Sequence, residues 1–165
     1  MSSTELFPVA ILAGGLATRL RPITETIPKA LVPVAGEPFL FHQLRYLKGQ
    51  GGRRVVLCTG YLGEQVEAAV GTGEAFGLEV EFAHDGAKLL GTGGALKAAS
   101  ARLGDDFIVL YGDSYLPVDF MAAQRAYQQR GLPALMTVFR NENAWDKSNA
   151  DLTADGLVVY DKRNL

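Results

Sequence analysis

Cysteine is almost missing from this chain. Cys58 stands alone, so no disulfide framework and no cysteine-based metal site can form, as suits a reducing compartment. Long apolar runs are missing too. No stretch reaches the ~18 residues that would span a bilayer. The opening segment, MSSTELFPVAILAGG, carries no early Lys or Arg before its short apolar run and does not read as a secretory signal. A cytoplasmic location is the expectation. An excess of one charge is also absent: 16 Lys and Arg face 18 Asp and Glu, for a net charge of −2. That balance argues against a nucleic-acid backbone or an anionic membrane as the main partner, although net charge is blind to a locally basic pocket.

What remains is a globular composition. Apolar residues make up 48% and charged residues 21% of 165, which excludes a disordered chain and allows a single domain with a sizeable core. Glycine is in excess, with 19 residues against a usual rate of about 7%. The glycines gather at the ends of apolar runs, where a backbone turns sharply or approaches a ligand.

Those runs alternate between strand and helix patterns. Residues 9–13 (VAILA) read as a buried strand ending in Gly14-Gly15. Pro38 opens a helix with Leu40, Leu44 and Leu47 on one face, closed by Gly49, Gly51 and Gly52. Strand patterns recur at 54–58, 79–82, 107–110 and 134–139. Helix patterns recur at 64–70, from a Thr92 cap to about 103, and at 117–130. Residues 151–152 and 157–160 flank Ala154-Asp155-Gly156, a hairpin signal. Continuous apolar strands separated by helices predict a mainly parallel sheet covered on both faces, with ligands beyond the carboxyl ends of the strands.

The loop after the first strand is the richest in chemistry. It reads Leu12-Ala13-Gly14-Gly15-Leu16-Ala17-Thr18-Arg19-Leu20-Arg21-Pro22-Ile23-Thr24, followed by Ile27-Pro28-Lys29-Ala30-Leu31. Paired glycines let backbone N–H groups face a ligand. Arg19 offers a planar fork for phosphate oxygens. Lys29 leaves a stretch stiffened by Pro28. A fixed cation is what phosphoryl transfer needs, because that catalysis is mostly positioning and charge stabilisation. The common nucleotide motifs do not explain the loop. It lacks the Gly-Lys-Ser/Thr of a P-loop, and neither glycine cluster supplies the G-x-G-x-x-G of a dinucleotide site, which argues against an NAD-dependent oxidoreductase.

The strings LAGGLATRLRPIT and PKALVPVAG resemble the signature of the sugar-1-phosphate nucleotidyltransferases, the nucleoside-diphosphate-sugar pyrophosphorylases. The family pattern runs G-G-x-G-T-R-L-x-P-x-T, then P-K-x-L-x-P-V. This chain departs from it at Ala17, where the family usually has glycine. A small backbone shift is expected there, with a larger cost if φ must be positive. The resemblance implies a Rossmann-like, glycosyltransferase-A-like three-layer α/β sandwich with a mainly parallel sheet. It implies that Leu12, Ala13, Gly14, Gly15, Ala17 and Thr18 bind nucleotide, and that Arg19 and Lys29 are catalytic. The run from Gly91 through Thr92 and Gly93 opens a helix and resembles the family segment that holds base and ribose. Asp113, directly after the strand FIVLYG, resembles the magnesium ligand. Lys162 resembles a further catalytic cation, and Asn149 and Asp161 resemble groups that hold the sugar phosphate.

The implied reaction joins a sugar 1-phosphate to a nucleoside triphosphate (NTP) with Mg²⁺ as cofactor, giving a nucleotide sugar and pyrophosphate. The strings GTGGALK and YGDSYL favour GTP; a uridylyltransferase acting on an amino-sugar or hexose 1-phosphate is the alternative. Family members continue past the Asp161-Lys162 pair with a further strand and a second acidic ligand. Residues 1–165 are therefore expected to form one nucleotidyltransferase domain, incomplete at its C-terminal end, which leaves a nucleotide-binding module with little turnover as another reading. No nucleic acid or membrane is expected as partner, and a homo-oligomer is compatible with the resemblance. His42 and His84 are scattered and make no metal site. Cys58 reads as core, and His84 and Asp85 as neighbours of the base. Tyr115 and Trp145 are candidates for the sugar-pocket wall, with ordinary packing the alternative for Trp145.

Overall fold

A computed structural model describes residues 5–142, 144 and 148–160. The chain divides into two compact units, one ending at Met121 and one beginning at Ala122. In chain order the strands are β1 (Val9–Leu12), β2 (Pro33–Val34), β3 (Glu37–Pro38), β4 (Arg54–Thr59), β5 (Glu79–His84), β6 (Ile108–Tyr111), β7 (Ala150–Leu152) and β8 (Val158–Tyr160). The helices are α1 (Phe39–Gly49), α2 (Gly63–Val70), α3 (Gly91–Leu103) and α4 (Phe120–Arg130).

The first unit is built on a four-stranded parallel sheet in the order β5-β4-β1-β6. Val9 stands beside Val55 on one side and Ile108 on the other, and Leu12 stands between Cys58 and Tyr111. The apolar strands are buried because both faces are covered. Alternate residues feed two cores. Val9, Ile11, Val55, Leu57 and Leu110 pack with Leu40, Leu44 and Leu47 of α1 and with Val66 and Val70 of α2. Ala10, Val56, Cys58 and Ala83 pack on the other face with Ala95, Ala99 and Leu103 of α3. This is the expected three-layer α/β arrangement. The small residues on the second face let the glycine- and alanine-rich α3 lie close to the sheet.

The topology positions the site. From β1 the chain steps outward through β4 to β5, then returns to the far side of β1 as β6. The direction reverses between β1 and β6, and ligands of open parallel sheets bind at such a reversal, beyond the carboxyl ends.

The second unit holds most of α4 and the antiparallel hairpin β7–β8, in which Leu152 pairs with Val158. The hairpin turn is closed by hydrogen bonds from Gly156 N–H and Leu157 N–H to the backbone and side-chain oxygens of Thr153. The strand expected at 134–139 does not form among the described residues. Leu135, Met136, Val138 and Phe139 are exposed there. A run of apolar residues becomes a strand only where another strand offers its backbone, and no described strand pairs with this one. Smaller differences concern ends. The fourth helix starts at Phe120 rather than residue 117, and the third strand of the sheet runs on to His84.

Candidate active site

A cavity of about 350 Å³ opens beyond the carboxyl ends of the sheet in the first unit. Leu12, Ala13, Gly14, Gly15 and Ala17 line it from the first loop, Gly91 and Thr92 from the start of α3, and Lys29 and Asp113 from the segments that follow Pro28 and β6. Those residues were all expected at the site from sequence, and the fold brings them together. Thr18, Arg19 and Gly93 are exposed outside the lining, with Thr18 and Arg19 on the 3-10 turn Thr18–Leu20. Asn149 is exposed just before β7 in the second unit. Asp161, Lys162 and Trp145 lie outside the described residues. Tyr115 is absent from the lining and packs on Tyr46, ring centroids 5.5 Å apart.

The glycines of the first loop serve different ends. A Cβ on Gly14 would come within 3.1 Å of Gly60 N and 3.3 Å of the Thr59 carbonyl carbon. The segment after β4 therefore packs so close to Gly14 that a side chain there would have to push it back by a few tenths of an ångström. A Cβ on Gly15 would meet nothing within 4 Å, so glycine there keeps the cavity side open. Ala17 has φ 47° and ψ 43°, the left-handed region. The small shift expected at this position is thus replaced by the costlier case, an alanine holding a conformation that suits glycine. Its carbonyl accepts from Leu20 N–H and from the hydroxyl of buried Thr24, both at 3.0 Å. Tyr61 and Gln65 hold the far end of the loop by donating to the carbonyls of Glu25 and Thr26.

Lys29 and Asp113 meet. Lys29 begins a 3-10 turn after Pro28, whose φ of −61° and ψ of 143° set the entry. Its Nζ donates to Asp113 Oδ2 at 2.5 Å. The hydrogen bond and charge of Lys29 hold the Asp113 carboxyl below the usual carboxylate range, against a smaller opposing effect of burial, so it is anionic at neutral pH. Asp113 sits on the turn 111–114, where Ser114 N–H donates to Tyr111 O at 3.1 Å. Gly112 lets this turn reach β1: its N–H donates to Leu12 O at 2.9 Å, and a Cβ would lie 2.8 Å from that oxygen.

Sequence reading missed one support of this turn. The carboxamide of Gln43, on α1, donates to Tyr111 O at 2.9 Å and Ser114 O at 2.7 Å. Nothing but a polar residue among leucines signalled it. Asp85 was seen only as a neighbour of the base. It lines the cavity, and its Oδ2 accepts Leu90 N–H at 3.1 Å. Thr92 does not cap α3, which starts one residue earlier, with Leu90 as the residue before it and no side-chain cap.

Cys58 is buried, as expected, and also faces the cavity. Burial, reinforced by the Asp85 charge, pushes its thiol up to about 11. His84 is occupied on both ring nitrogens, by the Thr59 hydroxyl at 2.7 Å and Glu67 at 3.4 Å. Among the described residues no three His, Cys, Asp or Glu side chains form a ready metal cage. Asp113 supplies one hard oxygen pair, with Oδ2 on Lys29 and Oδ1 3.5 Å from Ser114 Oγ. That donor set fits Mg²⁺, which binds through one or two carboxylates and takes its other ligands from phosphates and water. No helix of the described residues is long and apolar enough to cross a membrane.

Comparison with known proteins gives a consistent set of matches. A family model described as nucleotidyl transferase matches residues 9–149. An N-acetylmuramate alpha-1-phosphate uridylyltransferase of Neisseria meningitidis is 40% identical over 114 residues, 68% of this chain and 49% of that protein. A glucose-1-phosphate thymidylyltransferase of Streptomyces antibioticus is 37% identical over 153 residues, 90% of this chain and 42% of that protein. The crystal structure of HddC from Yersinia pseudotuberculosis complexed with GMP-PN superposes with a TM-score of 0.67 at 35% identity, covering 74% of this chain and 54% of that one. The chain thus spans about half the length of these proteins, or less.

Proposed function

The chain belongs to the nucleotidyl transferase family, and from that premise we propose that its cavity takes a nucleoside triphosphate and a sugar 1-phosphate. The whole protein would join them into a nucleotide sugar and release pyrophosphate. The observation that carries this reading is the meeting of Lys29 and Asp113 at 2.5 Å. A fixed cation and a fixed carboxylate face one cavity at the sheet reversal, beside two glycine-bearing backbone segments.

The residues have distinct tasks in this reading. The sugar phosphate oxygen is anionic at neutral pH, so it attacks the α-phosphorus without a general base. The bond to the pyrophosphate oxygen breaks, and the electron pair leaves with pyrophosphate. Lys29 offsets the repulsion between the two phosphates and the charge at the α-phosphate. The backbone of Gly14 and Gly15 and the first turn of α3 offer N–H groups and room for base and ribose. Asp113 is the residue that would hold Mg²⁺, which when bound supplies further charge neutralisation at phosphate oxygens. Arg19 answers the leaving pyrophosphate from the exposed turn; the sequence resemblance alone assigns a catalytic role to Lys162 and the holding of sugar phosphate to Asn149 and Asp161.

GTP is the favoured nucleotide, supported by the strings GTGGALK and YGDSYL and by the GMP-PN-bound structural neighbour. UTP is the second reading, because a relative at 40% identity is a uridylyltransferase. Thermal unfolding with GTP, UTP and dTTP, each with and without Mg²⁺, separates them. A nucleotide at 100 times its Kd adds about 2.7 kcal/mol, and the expected result is a magnesium-dependent shift that is largest with GTP. Pyrophosphate release with sugar 1-phosphates then tests turnover. A shift without release would make this chain a nucleotide-binding module. No shift with any nucleotide would overturn the reading.

A further inference from the structure

Gln43 is a buried amide in an apolar layer. It lies on the inward face of α1 beside Leu40, Leu44 and Leu47 and is 3% exposed. Its Oε1 is buried without a hydrogen-bond partner. A polar group kept in a core with one atom unpaired is costly, so its retained contacts deserve an account. Both lie on a single turn. The two amide hydrogens reach the carbonyls of Tyr111 and Ser114, the first and last residues of the turn that carries Asp113. Turning the amide over would aim Oε1 at two carbonyl oxygens, so the orientation is set by its surroundings.

The turn therefore has two anchors. Gly112 N–H fastens it to the end of β1, and Gln43 fastens its two outer carbonyls to α1. Ser114 O is held by Gln43, while Tyr111 O also accepts Ser114 N–H. Between those fixed points the backbone of Asp113 has little freedom, and its carboxylate lies against Lys29.

Building on the role given to Asp113 above, we propose that Gln43 is a positioning residue for the reaction: it clamps the 111–114 turn so that Asp113 stands against Lys29 at the phosphate site. Gln43 touches neither substrate nor metal in this account. It acts through the two carbonyls it holds.

The test uses two variants of the full chain. Gln43→Met keeps the volume and removes both donors. Gln43→Glu keeps the shape and sets an oxygen against the two carbonyls. Crystal structures of the wild type and each variant give the Lys29 Nζ–Asp113 Oδ2 distance, now 2.5 Å, which is expected to open past hydrogen-bond reach in both. Kinetics are read well below the melting temperature with the nucleotide that stabilises the wild type. Misplacement of a catalytic group by about 1 Å costs up to ~10²-fold, so kcat is expected to fall roughly 10-fold or more. The Mg²⁺ concentration for half-maximal rate should rise about fivefold while the KM for sugar 1-phosphate changes by less than about twofold. A core-filling role would change melting and leave that split flat. An intact Lys29–Asp113 pair in folded Gln43→Met, or wild-type kcat with wild-type Mg²⁺ dependence, overturns the proposal. If Gln43→Glu does not fold, Gln43→Met still decides. If wild-type protein turns over no nucleotide, the active-site reading fails, and the crystallographic distance alone judges the clamp.

Discussion

Replacing Ala17 by glycine should make this protein more stable. The change deletes a methyl group from a residue with φ 47° and ψ 43°. An L-residue in the left-handed region carries a penalty of about 1–2 kcal/mol, which glycine avoids. Glycine gives some of this back, because it loosens the unfolded chain by about 0.4–1 kcal/mol. The difference is a net gain of roughly 0.5–1 kcal/mol, or about 1–4 °C in a domain of this size. Ala69, exposed within α2, supplies the control. The same substitution there removes a good helix former from the last turn and should cost up to about 1 kcal/mol. Urea unfolding of the two variants beside wild type measures both. Opposite signs are expected. A loss at Ala17 equal to that at Ala69 would refute a left-handed alanine in the first loop. The family pattern has glycine at this position, so the gain should come without loss of nucleotide-induced stabilisation.

Other outcomes follow from the same geometry. Lys29→Ala and Asp113→Asn should each lower kcat by about 10²-fold or more while the chain remains folded; near-normal pyrophosphate release in either removes it from the reaction. The Lys29–Asp113 pair holds the Asp113 carboxyl below its unfolded value, so it adds stability above the usual carboxylate range and loses it as pH falls through the lowered folded value. Because both side chains are more than a third exposed, the loss should be under about 1 kcal/mol, seen as a smaller acid-induced drop in melting temperature for Asp113→Asn. The Cys58 thiol, raised to about 11, should stay protonated and unreactive toward an aromatic disulfide reagent at pH 8 until the protein is denatured. Its stabilising share is complete below the ordinary thiol pKa and declines as pH rises toward 11; a Cys58→Ala variant should show a shallower alkaline loss.

The parallel sheet was legible because its strands are short apolar runs bounded by glycine, and the hairpin because Asp155-Gly156 sits between two alternating segments. The site was legible where one segment held several of its residues, as in the first loop. It was harder to read where contacts join distant segments. Gln43 and the turn it holds are separated by 68 and 71 positions, and no local pattern announces such a bond. Thr92 as a cap failed because a hydroxyl near a helix start is a common signal, while the N–H of Leu90 goes to Asp85, five residues away. Residues 134–139 have strand composition without a described strand to pair with, and composition cannot supply a partner.

The alanines under α3 bear on substrate size. Ala10, Ala83 and Ala99 are buried between that helix and the sheet, while Gly91 and Thr92 at its start form one wall of the cavity. They act as thin shims. A valine in place of any one of them would lift the helix off its seat, since a close-packed interior takes extra methyl groups by moving its neighbours. The wall would move with it. The width of the cleft is therefore gauged from underneath, by three methyl groups that do not line it.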